Sequence, residues 1–79
     1  MSTELSEIKN AKELGELLQQ MRKEMRVTQK QAADLCNVGP RFIGELEKGK
    51  PTAEIAKVIQ VIRGYGFRFM ICDRKIEKP

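Results

Sequence analysis

The side chains in this sequence that are suited to a chemical task are chiefly cations. The chain of 79 residues carries 15 Lys and Arg against 11 Asp and Glu, a net charge of +4. Residues 1–21 are acidic in balance, whereas residues 22–50 and 63–79 are basic. Clustered cations attract phosphate and other anions, although an ordinary solvated surface often shows the same excess. The charge therefore indicates a nucleic-acid partner only if the cations share one face of the fold.

Catalytic and metal sites lack their usual ingredients. The sequence has no histidine, which excludes a Ser–His or Cys–His pair, and it has neither a P-loop nor a G-x-G-x-x-G loop. Cys36 and Cys72 stand alone, without the C-x-x-C spacing of zinc sites. We expect both to be buried thiols, with a single disulfide between them as the alternative. We also expect no enzymatic activity, no metal, no cofactor and no small-molecule substrate.

The length of the chain limits the size of the fold, and the apolar pattern and the N-terminal residues indicate its cellular location. A chain this short forms one domain, buries a small core and often relies on a partner chain. The N-terminus is polar and acidic, unlike a signal peptide, and no run approaches the ~18 apolar residues of a membrane span. We expect a protein of the cytoplasm that has no membrane partner.

Two helices are predicted in the first half of the chain. Asn10 followed by Glu13 is a capping pair, and Thr28 is a second helix-start signal. These signals predict helices over about residues 11–24 and 29–36, and residues 37–39 form a turn in which Asn and Gly tolerate a positive φ. The inward side chains of the first helix are Leu14, Leu17, Leu18, Met21 and Met25, and those of the second are Ala32, Leu35 and Cys36.

Two further helices follow. Pro40 suits the first position of a helix over residues 40–48, which turns Ile43 and Leu46 inward and ends at Gly49. A fourth helix begins at Pro51 and Thr52. Its buried stripe is Ile55, Val58, Ile59 and Ile62, and Gly64 and Gly66 end it.

The apolar pattern then changes to a period of two, which indicates a β-strand. A lone strand leaves its backbone groups without partners, so we expect it to pair with the same strand of a second copy in a two-fold dimer. The alternative is that this segment extends the fourth helix or packs as coil. The strand residues are Phe67, Arg68, Phe69, Met70, Ile71 and Cys72.

The second and third helices, joined by a tight turn, have the dimensions of a helix-turn-helix unit. Residues 27–35 read VTQKQAADL and residues 43–50 read IGELEKGK. The pattern T-Q-x-x-(L/A)-A, followed by I-x-x-(L/W/F)-E-x-G, resembles the Cro/C1 (Xre) family of repressors over about residues 11–65. Residues 46–52 and the final strand are similar to a narrower subgroup, the HipB-type antitoxins.

The resemblance implies a mainly α, lambda-repressor-like domain of four to five helices, with one C-terminal β-strand pairing across a homodimer. Residues 1–9 would be an N-terminal arm, 10–66 the DNA-binding domain, 67–74 the dimerisation strand and 75–79 a tail. It also implies an ion pair between Arg22 and Glu47 that joins the first helix to the end of the third.

The third helix is the expected reader of bases in the major groove. Arg41 is the main candidate, because a guanidinium can bond O6 and N7 of guanine together. Pro40 belongs to the same expected base-reading set, although it offers no side-chain hydrogen bond. Phe42 packs on thymine methyl groups or belongs to the core, and Glu45 accepts from cytosine N4 or is an ordinary exposed glutamate.

The expected phosphate contacts flank that helix. Thr28, Gln29 and Lys30 open the second helix, where free N–H groups and the helix dipole attract anions. Similar repressors use the residue at Gln29 for a phosphate. Lys48 and Lys50 would reach the other flank, although each is equally well an ordinary surface lysine.

The leading functional interpretation is a homodimeric repressor that binds a palindromic double-stranded operator, and the resemblance implies a bacterial protein associated with the nucleoid. The half-sites would lie one helical turn, ~34 Å, apart. The HipB-like features imply an autoregulating antitoxin whose partner is a HipA-type kinase toxin. The alternatives are an interaction module that sequesters a toxin and binds DNA weakly, and a regulator that has no toxin.

Overall fold

The computed structural model describes residues 5–75, which fold into four α-helices: α1 (Ala11–Glu24), α2 (Gln29–Cys36), α3 (Pro40–Glu47) and α4 (Ile55–Gly64). The ends of the predicted arm and tail, residues 1–4 and 76–79, lie outside the described residues. The bounds of α1 and α2 are as predicted, and α3 ends one residue early because Lys48 is its C-cap. No helix in residues 5–75 has the length and apolarity needed to cross a membrane.

Local capping explains where the first helices begin. The Asn10 side chain accepts the N–H of Glu13 at 2.9 Å, as predicted. Thr28 accepts the N–H of Gln31 at 3.1 Å, and the Gln31 side chain accepts the N–H of Thr28 at 2.8 Å. This is a reciprocal capping box, of which the sequence analysis identified only Thr28.

The turn between α2 and α3 differs in part from the prediction. Asn37 adopts the left-handed conformation at φ 58°, which ends α2 as expected. Gly39 has φ −74° and is the N-cap of α3, so the expectation that it needs a positive φ was wrong. Neither the backbone nor the packing requires glycine at this position, since a Cβ there would meet nothing within 4 Å.

The core lies between all four helices, and one fully buried side chain from each of three helices marks its centre: Leu18, Ile43 and Val61. The prediction that Leu35 points inward was wrong, because its exposed fraction is 57%. The helices α2 and α4 approach each other closely at Cys36, because a Cβ on Gly64 would lie 2.5 Å from Cys36 Sγ. The buried side chains of α2 are the small ones, Ala32, Ala33 and Cys36.

The helix α4 starts later than predicted. Residues 50–53 form a turn, in which the N–H of Ala53 donates to the carbonyl of Lys50 at 3.4 Å, and the helix begins at Ile55. Ile55 was expected to be buried but is 58% exposed, because it lies in the first turn, before the helix reaches the core. The buried residues of α4 are Val58, Val61 and Ile62, and Ile59 is half-buried.

Within residues 5–75 the segment after α4 forms neither a strand nor a helix in the single chain. It packs as coil, which was one of the two alternatives, and the other alternative, that it extends α4, was wrong. The N–H of Phe67 donates to the carbonyl of Ile62 at 3.0 Å, and Phe67 packs against the core. Phe69, Met70 and Ile71 are exposed. The pairing of this segment across a dimer stays a prediction.

The two cysteines differ from each other. Both are free, and Cys36 is buried as expected, whereas Cys72 is exposed. The expectation of two buried thiols was therefore wrong for Cys72, which lies beyond the last core residue of the chain.

Candidate nucleic-acid interface

The start of α3 is open to the exterior. Pro40 and Arg41 are exposed, and the Arg41 side chain is 91% exposed. The opposite face of α3 is fixed, because Ile43 and Leu46 are buried in the core. The fold therefore holds α3 firmly while it presents Arg41 to the exterior.

Glu45 lies one turn after Arg41 and binds two cations. Its Oε2 accepts Arg41 Nε at 3.4 Å, and its Oε1 accepts Lys50 Nζ at 3.2 Å. The hydrogen bond from Lys50 and the charges of Lys50 and Arg41 lower the pKa of Glu45. The carboxylate is therefore ionised at neutral pH, and a contact with cytosine N4 would have to compete with these cations.

Phe42 is half-buried and packs against the core. Lys57 Nζ lies 5.9 Å from the centre of its ring, within the range of a cation–π contact. Phe42 also lines a shallow cleft of about 230 Å³ between α3 and the turn before α4, together with Leu46 and Ala53. This packing favours the core interpretation of Phe42 over a contact with thymine methyl groups.

The residues expected at phosphates are distributed over both flanks of the unit. Thr28 uses its hydroxyl as a cap, and Lys30 pairs with Asp34 at 3.4 Å while remaining 76% exposed. Lys48 is exposed at the C-terminal end of α3, and Lys50 is held by Glu45. The structure thus places cations before and after α3.

Gln29 is the exception in that group, because its side chain turns toward α3. Its Nε2 donates to Glu47 Oε1 at 3.1 Å. A Cβ on Gly44 would lie 3.5 Å from Gln29 Oε1, which is an ordinary contact distance. Gln29 therefore links α2 to α3, and sequence reasoning missed this role.

Arg22 and Glu47, the pair implied by the family resemblance, lie in contact in the structure. Arg22 Nε donates to Glu47 Oε2, Nη2 donates to Oε1 at 3.1 Å, and Nη1 donates to the carbonyl of Val27 at 2.8 Å. The side chains are 11% and 3% exposed. This cluster joins α1, the loop after it and α3, and Gln29 adds α2.

The environment of the cluster favours the charged form of both side chains, Arg22 and Glu47. The hydrogen bond to Glu47 raises the pKa of Arg22. Burial alone would raise the pKa of Glu47, but the hydrogen bonds from Arg22 and Gln29 outweigh it and the pKa is lowered. Both groups are therefore charged at neutral pH, as a stable buried pair requires.

Gly15 brings α1 close to the end of α3 and was also missed. A Cβ at Gly15 would collide with the carbonyl oxygen of Leu46 and would lie 2.8 Å from that of Glu47. A glycine inside a helix costs about 1 kcal/mol against alanine, so its presence in α1 was a signal of close helix packing.

Comparison with known proteins agrees with this geometry. A family model described as a helix-turn-helix domain matches residues 13–68. The chain belongs to the family of helix-turn-helix domains. It is 46% identical over 59 residues to an uncharacterised HTH-type transcriptional regulator, y4mF, of Sinorhizobium fredii. That match covers 75% of this chain and 78% of the relative.

Solved structures of HipB share the fold of this helix-turn-helix domain. The chain matches HipB in a HipB–O4 20mer complex and in a HipA–HipB–O2–O3 complex, each with a TM-score of 0.80. In both, the match covers 90% of this chain and 100% of the HipB chain, at 15% sequence identity. Backbone similarity at so low an identity establishes the architecture alone.

Proposed function

We propose that this helix-turn-helix protein is a sequence-specific transcriptional repressor that reads its operator chiefly through Arg41. The observation that carries the proposal is the exposure of Arg41 at the start of a helix whose other face is locked into the core. A guanidinium in the major groove can bond O6 and N7 of guanine, a contact that discriminates by about 1–3 kcal/mol. Pro40 lies beside it and contributes shape rather than hydrogen bonds.

Phosphate contacts would fix the register of α3 on the duplex without reading sequence. We assign them to the first turn of α2 and to the lysines beyond α3. The exposure of Lys30 and Lys48 supports this assignment. The full set is Thr28, Gln29, Lys30, Lys48 and Lys50.

The repressor would act as a homodimer joined by residues 67–72. Phe69, Met70 and Ile71 form a run of exposed apolar side chains, which is costly in water for a single chain. Pairing of two such segments about a two-fold axis would cover them and satisfy the backbone. The two α3 helices would then meet a palindromic operator at half-sites about one helical turn apart.

The dimer has a direct test in which the core is untouched. Ile71 is 92% exposed, so Ile71→Asp should leave the fold of the single chain intact. In sedimentation equilibrium we expect this variant to have half the molar mass of the wild-type dimer. We also expect it to lose affinity for the operator. Ile55→Asp is the matched control, because Ile55 is an exposed isoleucine outside the segment. Ile55→Asp should remain dimeric. A dimeric Ile71→Asp variant would contradict the assignment of residues 67–72 to the dimer interface.

We further propose that the repressor is the autoregulating antitoxin of a HipA-type kinase toxin. The shared fold with HipB in a HipA–HipB–O2–O3 complex supports this partner. Co-expression with a HipA-type kinase encoded beside its gene should relieve growth arrest, and the two proteins should co-purify. Continued arrest without co-purification would leave a repressor that has no toxin.

A second candidate function is an interaction module that sequesters a partner and binds DNA weakly. Two features favour this function. Gly39 and Pro40, at the start of α3, have no side-chain groups that could hydrogen-bond to bases, and the apolar side chains of residues 69–71 are exposed. The two functions separate in one assay, the binding of DNA from immediately upstream of the gene. A repressor binds tightly and loses affinity with Arg41→Ala, whereas Arg63→Ala, an exposed arginine at the end of α4, serves as the control. Weak binding that is indifferent to Arg41 would favour the module.

A further inference from the structure

Arg41, Glu45 and Lys50 form a chain of ion pairs on the outward side of α3. Arg41 Nε and Lys50 Nζ each bind a different oxygen of Glu45, at 3.4 and 3.2 Å. The end of the helix places Lys50 there: Gly49 has φ +85°, and the N–H of Lys50 donates to the carbonyl of Glu45 at 3.2 Å. The Glu45 carboxylate is thus held on one side by Lys50 and holds Arg41 on the other.

The ion pair engages only one side of the guanidinium. Arginine has five N–H donors in a planar fork, and the contact with Glu45 uses the single donor on Nε. The four donors on Nη1 and Nη2 take no part in this pair. A bidentate contact with guanine O6 and N7 needs two of these donors, so the pair with Glu45 and the contact with guanine are compatible.

An unrestrained arginine at this position would lose much side-chain freedom on binding. The Arg41 side chain is 91% exposed and therefore has little packing to order it. The ion pair between Arg41 Nε and Glu45 restricts the side-chain conformations of Arg41 before DNA binds, which is the general benefit of preorganisation. The negative charge of Glu45 also disfavours contact with phosphates that carry no matching guanine.

We propose that Glu45 is a positioning residue for Arg41: it holds Nε so that the Nη fork meets guanine, and Lys50 holds Glu45 in place. The inference rests on the proposed function, in which Arg41 reads a base. It assigns to Glu45 an action through Arg41 instead of a contact with cytosine of its own.

The test is a double-mutant cycle of Glu45→Gln with Arg41→Ala. The probes are a duplex that the wild-type protein selects from a random-sequence library and a duplex of the same composition in scrambled order. We expect Glu45→Gln to weaken binding of the selected duplex about 2- to 5-fold, the most that an exposed ion pair contributes to pre-ordering one long side chain. Binding of the scrambled duplex should stay equal or tighten, and in the Arg41→Ala background Glu45→Gln should have no effect on preference.

Glu16→Gln is the matched control, since it removes one exposed carboxylate from α1 and should leave the preference unchanged. If Glu45→Gln reduces the preference equally with and without Arg41, Glu45 contacts DNA itself and the positioning role is overturned. If Arg41→Ala abolishes the preference but Glu45→Gln leaves it intact, only the role of Glu45 fails. If the wild-type protein shows no preference for the selected duplex, the proposed function fails as well.

Discussion

Glu47→Ala should destabilise the fold far more than any exposed substitution. The change leaves the Arg22 guanidinium buried, with the carbonyl of Val27 as its remaining hydrogen-bond partner in the cluster, and it also removes the acceptor of Gln29. Breaking a buried pair from one side costs about 3–5 kcal/mol. A domain of this length has a total stability of only about 4–12 kcal/mol, so the loss is a large fraction of the whole.

Urea unfolding followed by circular dichroism measures this loss. With a slope of about 1 kcal/mol per molar urea for a small domain, the midpoint should fall by about 3 M or more, or the variant should be unfolded without urea. Glu16→Ala, at an exposed helical site, should change stability by about 0.5 kcal/mol or less. The double variant Arg22→Met, Glu47→Leu should recover most of the loss, since apolar residues of similar size can replace a buried pair. An unchanged midpoint for Glu47→Ala would show that the buried pair with Arg22 does not stabilise the fold.

Three further results are expected. The contribution of Glu47 to stability is present above its ordinary pKa of 4.5 and is lost as the pH falls through its lowered folded value, so Glu47→Gln should flatten the loss of stability that the wild-type protein shows in acid. Burial raises the pKa of the Cys36 thiol, so a thiol reagent should modify Cys72 in the folded protein and Cys36 only on unfolding; equal rates would contradict the packing of α2. Gly15→Ala should lower the melting temperature through its backbone clash, whereas Gly39→Ala, with open space around it, should not; two equal effects would contradict the close approach of α1 and α3.

Local signals were sufficient to predict the first three helices. The caps at Asn10 and Thr28 and the proline at the start of α3 act within a few residues of themselves, so their effects are readable without the rest of the fold. The failures at Leu35 and Ile55 have a different origin. In a helix of two or three turns several faces are about equally apolar, and the face that is buried depends on how closely a distant helix approaches.

The candidate site was predictable from the sequence in the same way, only where local spacing determines it. The exposure of Arg41 follows from its place at the start of α3, and its pairing with Glu45 follows from a spacing of four residues. The involvement of Lys50 depends on the direction that the chain takes after Gly49, and that of Gln29 depends on the contact between α2 and α3. Neither is encoded in a local pattern, and both required the three-dimensional structure.

The proposed repressor depends above all on Arg41 of α3, which would read a specific DNA sequence. The most direct measurement is the affinity for the duplex immediately upstream of the gene and for a scrambled duplex, at several salt concentrations, for the wild-type protein and for Arg41→Ala. We expect the wild type to prefer the upstream duplex and to lose affinity steeply with salt, and we expect Arg41→Ala to remove most of the preference. Equal affinity of the wild-type protein for the two duplexes, or a preference that survives in Arg41→Ala, would contradict this role of Arg41.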